Sequence, residues 1–181
     1  LETIKRNYAK APFIGEVMEL LTPVYHDYSI TTLSKFNQAL IQRISAYLGI
    51  KTEFRNSSEF QLEEDRVGKL ISICEQLRAS VYLSAPQAKN YITNEFDVID
   101  LDLQWMEYGP YEEYEQNVDP FSDFVSIVDT IAALGPKARQ NILIWVAIID
   151  CRFLNNVVRD SSRFNVYAVS YTHLRAHETQ R

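Results

Sequence analysis

Ser84 closes a short β-prone run, Ser80-Val81-Tyr82-Leu83, and Pro86 follows it at the right place to open a helix. Proline suits a first helical turn, where its missing N–H costs nothing. The free N–H groups of such a turn face whatever lies above the strand end, and they favour a phosphate or carboxylate. Pro86 and Gln87 sit in that turn. Lys89 adds a positive charge and Tyr91 a hydroxyl. Ser84, Pro86, Gln87, Lys89 and Tyr91 are therefore candidate ligand-binding residues. The plainer alternative has Ser84 or Ala85 merely capping the helix, with Lys89 solvated and Tyr91 packed.

A second candidate is Ser57-Ser58-Glu59, after the first visible strand. It lies at the same sheet edge if the two strands run parallel, and strand-end loops often carry function. The alternative is a polar loop that caps the next helix. A third is Ser126 with Asp129, three apart on an expected helix and so on one face. They either reach into a cleft or form the solvated side of an amphipathic helix.

Other arrangements carry less. His173 and His177 are four apart, with Glu178 following, but no third metal ligand is near. Asp100 and Asp102 share a strand face without a third oxygen-rich partner. Glu112, Glu113 and Glu115, among Tyr108, Tyr111 and Tyr114, read as an exposed loop. Cys74 lies on a core face, and His26 is isolated. No P-loop, GxGxxG, GxSxG or CxxC pattern occurs. No metal or cofactor is expected.

Several elements must position these residues. Ile14, Val17, Met18 and Leu21 are spaced for one helical face, which Pro23 is expected to end. Thr31 or Thr32 caps a second helix with the stripe Leu33, Phe36, Leu40, Ile44 and Tyr47, stopped by Gly49. Lys51–Arg55 reads as a strand. Val67, Leu70, Ile71, Cys74 and Leu77 mark a helix. Ile99 to Trp105 alternates as a strand with one wet face. Asp119-Pro120 is expected to open a helix with Phe121, Phe124, Val125 and Val128 inward, stopped by Gly135-Pro136. The apolar run Ile142 to Ile149 reads as helix or strand. Helix and strand thus alternate, which predicts an α/β layered domain with a mostly parallel sheet covered by helices.

The chain has 181 residues, 18 Lys and Arg against 24 Asp and Glu, and a net charge of −6. That balance argues against nucleic acid or an anionic membrane as main partner, since both call for a basic surface. No apolar stretch approaches the ~20 residues of a membrane span. The two cysteines, Cys74 and Cys151, sit in apolar runs, so a reducing, cytoplasmic setting is expected. The first residue is Leu1 rather than Met, and an upstream portion is expected to be missing. Val169 to Thr179 resembles a translated sequencing-adapter peptide, so 169–181 reads as a non-native tail and 140–168 as an apolar extension of uncertain origin.

Four blocks in order carry a family resemblance: IKRNYAKAPFIGEV, YLGIKTEFRNSSEF, ISICEQLRASVYLSAPQAKNYI and DPFSDFVSIVDTIAALG. They resemble the WbqC-like protein family from about residue 1 to 139. The family's opening strand and its Gln-Pro and Pro-Trp-x-Gly-Tyr-like segment have no counterpart here. In the block from Ser84 to Lys89, Ala85 and Gln87 stand where the family carries glycine. Glycine permits the closest backbone approach, so a ligand that needs glycine at these positions would not bind here.

The resemblance implies a role in surface-polysaccharide (O-antigen, lipopolysaccharide) biosynthesis. It implies a glycine, aminoacyl or other acyl transferase acting on a sugar or sugar nucleotide, with any catalytic base in the missing portion. Two alternatives remain: a non-catalytic binding module of the same pathway, and an inactive truncated fragment.

Overall fold

The computed structural model describes residues 1–99 and 101–142 and the backbone of 167–170. In chain order the elements are α1 (Glu2–Asn7), α2 (Ile14–Tyr25), α3 (Leu33–Tyr47), β1 (Glu53–Asn56), α4 (Arg66–Gln76), β2 (Val81–Ser84), β3 (Asp102–Trp105), α5 (Ile127–Leu134) and β4 (Tyr167–Ser170). Contacts divide the chain into two compact units. Among the described residues, one is built from Leu1–Glu53 and 109–142; the other joins Phe54–Tyr108 to residues 168–170 of β4. No described helix is long and apolar enough to cross a membrane.

The first unit is helical. Val17 and Leu21 of α2 meet Ile131 and Ala132 of α5, with Leu48 and Ala138 completing the buried cluster. Leu40, Ile44 and Tyr47 of α3 pack against it, as their three- and four-residue spacing requires. Full burial of a side chain such as Leu21 or Ile131 contributes about 1.5–3 kcal/mol, and the half-buried α3 residues less. Thr32 caps α3, its hydroxyl accepting from Lys35 N at 3.3 Å. Gly49, at φ +65°, ends the helix in the left-handed region that glycine tolerates. Leu33 departs from the expected stripe. It is 74% exposed in the first turn of α3, while Phe36 instead meets Tyr25 edge-to-face at 4.9 Å.

Two expected boundaries move. Pro23 does not end α2 but lies inside it. Proline offers no N–H to the carbonyl four residues back. Arg43 of α3 supplies the missing donor, Nη2 to Glu19 O at 3.3 Å, and its Nε also reaches Leu20 O at 3.0 Å. The helix expected from Pro120 begins only at Ile127, with Ser126 as its cap. Gln116 explains the difference. Its side chain donates to Ser122 O at 2.9 Å and accepts from Ser122 N at 2.9 Å. The Ser122 carbonyl is thereby withdrawn from the helical ladder, where it would accept from Ser126 N. Phe124, expected inward, is 96% exposed.

The second unit joins α4 to a small sheet. Asp65 caps α4, accepting from Val67 N at 3.0 Å and Gly68 N at 2.8 Å. Val67, Leu70 and Cys74 of α4 share a core with Ala88, Ile92, Phe96 and Leu101. Strands β2 and β3 run parallel, with Val81 opposite Asp102 and Ser84 opposite Trp105. β1 pairs with β4 in a second two-stranded sheet.

The connection from β2 to β3 holds no α-helix. A 3-10 turn at Pro86–Asn90 stands where the helix was expected, and another follows at Glu95–Val98. Local bonds then occupy the backbone, Ile99 N to Phe96 O and Leu101 N to Ile99 O. The expected strand at Ile99 therefore starts at Asp102, whose N–H reaches Ser80 O at 3.0 Å. Helices with a small parallel sheet make this an α/β fold, as the element order predicts.

Candidate functional site

Strands β2 and β3 end together, at Ser84 and Trp105. In α/β sheets, ligands bind beyond the carboxyl ends of the strands. The Met106 N–H donates to Ser84 O at 2.7 Å and ties the two ends. The turn after Ser84 then returns Lys89 across the sheet edge. Its ammonium lies 5.3 Å from the centre of the Trp105 ring, within cation–π reach. Lys89 is exposed.

Ser84 itself is buried, at 6% exposure. Its hydroxyl bonds the Tyr82 phenol, which burial pushes up and this bond holds down. Tyr82 stacks on Phe96 at 5.4 Å. Tyr91 packs against the core, and its ring carries the Arg66 guanidinium at 3.5 Å. Pro86 is half-buried and Gln87 exposed. The turn they share is only five residues long and has no side-chain cap. Few amides align in it, so its dipole is small. Positive character at this edge comes from Lys89. Trp105 and Arg66 were not singled out from the sequence. Their parts follow from strand register and from the helix start at Arg66, which spacing along one chain does not display.

Ser57, Ser58 and Glu59 form a 3-10 turn whose polar groups close on the loop itself. Asn56 Oδ1 accepts from Ser58 N at 3.0 Å and from Ser58 Oγ at 2.8 Å. Glu59 accepts from Asn56 N at 2.6 Å, completing a capping box. Arg55 Nε reaches the other Glu59 oxygen at 2.7 Å. The Asn56 N–H and then Arg55 hold the Glu59 carboxyl below its usual range. Ser57 is buried.

Ser126 and Asp129 separate in role. Ser126 accepts from Val128 N at 3.3 Å as the α5 cap. Asp129, in the first turn of α5, is 7% exposed. Its Oδ2 accepts from Tyr114 Oη at 2.8 Å and Gln116 Nε2 at 3.0 Å. Tyr114 also meets Thr130 Oγ1 at 3.1 Å. Burial and a hydrogen bond to Asp129 push the Tyr8 phenol up to about 12. Burial raises Tyr114 as well. A buried carboxylate is stable only when so surrounded by donors. Tyr114 and Gln116 sit in the acidic stretch that read as an exposed loop. The stretch is a loop, but Tyr114 turns inward.

Residues 1–141 match the WbqC-like protein family. The chain belongs to this family. An uncharacterized protein of Mycobacterium tuberculosis (strain ATCC 25618 / H37Rv), Rv1507c, is 33% identical over 133 residues. The match covers 73% of this chain and 58% of the relative's length. No solved structure matches the chain.

Three further features bear on chemistry in this WbqC-like chain. Cys74 is buried, and desolvation pushes its thiol up to about 11, away from nucleophilic use. His26 is exposed after α2. Among the described residues no group of three His, Cys, Asp or Glu side chains could hold a metal ion. Cys151, His173, His177, Glu178, Asp100 and most of the run from Ile142 to Ile149 lie outside the described residues.

Proposed function

We propose that this WbqC-like protein acts in surface-polysaccharide biosynthesis, transferring a glycyl or other acyl group to a sugar nucleotide. Family membership over residues 1–141 supports the reading. The observation that carries it is the strand-end edge, where Lys89 lies over Trp105 beside Ser84. A nucleoside diphosphate needs a cation for its phosphates and an aromatic surface for its base or sugar ring. Lys89 supplies the first and Trp105 the second. Ser84, Pro86, Gln87 and Tyr91 shape the loop that presents Lys89. Ser57–Glu59 brace the end of β1, which belongs to the other two-stranded sheet and so does not share the Ser84 sheet edge.

A second reading, a binding module without chemistry, is favoured by one observation. The Ser84 hydroxyl is engaged by Tyr82 rather than by a base. Calorimetry with UDP-glucose tests both readings. Binding that falls about tenfold or more in Lys89→Ala supports a nucleotide-sugar site, a charge-assisted contact being worth roughly 1.5–3 kcal/mol. Turnover of an acyl donor by the same protein would then separate transferase from module. A folded wild-type chain with no measurable binding removes both.

A further inference from the structure

The helical unit holds a cavity of about 160 Å³ between the loop before α5 and the chain after it. Tyr111, Tyr114 and Phe121 supply aromatic walls, and Asp123, Thr130 and Asn141 supply polar ones. Tyr114 and Phe121 stand edge-to-face, with ring centres 5.3 Å apart. Among the described residues, no Lys, Arg or His lines the cavity. The stretch that builds it, 109–142, holds Glu112, Glu113, Glu115, Asp119, Asp123 and Asp129 against Lys137 and Arg139, and Arg139 is turned to the Leu48 carbonyl. Asp123 is the one charged side chain among these lining residues, so the potential it sets in this concave site is negative.

Three details set what that potential would hold. Tyr114 donates its phenol proton to the buried Asp129 carboxylate at 2.8 Å. The bond pushes electron density into the ring and makes its face a better partner for a cation. Asn141 is 8% exposed, and its Nδ2 donates to Glu112 O at 2.8 Å. That bond uses one of the amide's two N–H donors, and Asn141 is among the residues that line the cavity. The exposed Asp123 carboxylate sits at the rim. Rings with two or three acceptors do not suit a hard divalent ion, which wants six or more oxygens. They suit a cation that is apolar on one side and donates N–H on the other.

We propose that this cavity binds a small organic ammonium ion, held by the Tyr111, Tyr114 and Phe121 rings and by the Asn141 side chain, with Asp123 as counter-charge. The assignment is independent of the Lys89 edge, which lies in the other unit and has the opposite charge preference.

Calorimetric titration of the whole chain with ethanolamine and tetramethylammonium tests it, with glucose, magnesium and inorganic phosphate as comparison probes. The expected result is saturable binding of the ammonium probes alone, weakened by added salt. Tyr111→Leu should weaken it about tenfold, and Asp123→Asn should weaken it and flatten its salt dependence. Lys89→Ala should leave it unchanged. Asp123 is exposed, so its variant keeps the test intact if Tyr111→Leu fails to fold. Glucose or magnesium binding in preference to the amines overturns the proposal. So does an absence of ammonium binding by a chain that melts cooperatively.

Discussion

Tyr114 donates its hydroxyl proton to the Asp129 carboxylate at 2.8 Å, fastening the loop before α5 to that helix's first turn. The same hydroxyl receives Gln116 Nε2 at 3.2 Å and meets Thr130 at 3.1 Å. Tyr114→Phe therefore leaves several half-buried polar groups short of a partner. A destabilisation of about 1–3 kcal/mol is expected in urea unfolding. Asp129→Ala should cost more, because it strips one acceptor from Tyr8, Tyr114 and Gln116 together. A Tyr114→Phe chain as stable as wild type would show that the loop is held by something else.

The Tyr8 phenol ionises at about 12 in the folded chain, above its ordinary value near 10. The folded state thus keeps a proton that the unfolded state releases first. Stability from this group is complete below pH 10 and is lost as pH rises from about 10 to about 12. Tyr8→Phe should remove that part of the alkaline decline. Denaturant midpoints measured from pH 9 to 12 check it, and parallel curves for the two chains would contradict it.

Regular packing was legible in the sequence wherever a repeat in one segment carried it. The stripe through Phe36, Leu40, Ile44 and Tyr47 and the face through Val67, Leu70 and Cys74 follow from helical period alone. Gly49 and the Gly135-Pro136 stop were readable for the same local reason. The boundaries that moved depend on distant side chains. Arg43 keeps α2 running through Pro23, and Gln116 holds Ser122 out of α5. Neither rescue has a signal in the segment it affects. At the candidate site the loop from Ser84 to Tyr91 stood out because a strand signal meets a proline. Trp105 did not, because its place beside Ser84 is a matter of strand register. Tyr114 was hidden among glutamates, where composition says surface while one inward hydroxyl says otherwise.

Arg43 bonds the Glu19 and Leu20 carbonyls at 3.3 and 3.0 Å. Pro23 is the reason that the Glu19 carbonyl lacks its helical donor. Arg43→Ala should destabilise the chain by about 0.5–1.5 kcal/mol, modest because Arg43 is exposed. In a Pro23→Ala background the loss should shrink, since the alanine backbone would donate the N–H that proline lacks. A double-mutant cycle in urea measures the coupling. Strictly additive effects would mean that Arg43 does not replace the helical bond.

Gly135 ends α5 at φ +54°, a conformation that L side chains rarely adopt. It also presses against Phe13, whose ring occupies the space a Cβ would need. Phe13 N in turn donates to Ala132 O at 2.9 Å, so the ring has little freedom to withdraw. Gly135→Ala therefore meets strain and overlap at once, with an expected cost of about 2–4 kcal/mol. Gly49→Ala is the comparison. Its φ is +65°, but the nearest neighbour is the end of the exposed Arg139 side chain, which can move aside at the loss of its bond to Leu48 O. Its cost should stay near ~1 kcal/mol. Adding Phe13→Ala should recover the overlap part of the Gly135→Ala loss and leave the backbone part. Thermal melts of these variants decide it, and equal losses at the two glycines would mean that φ alone sets the cost.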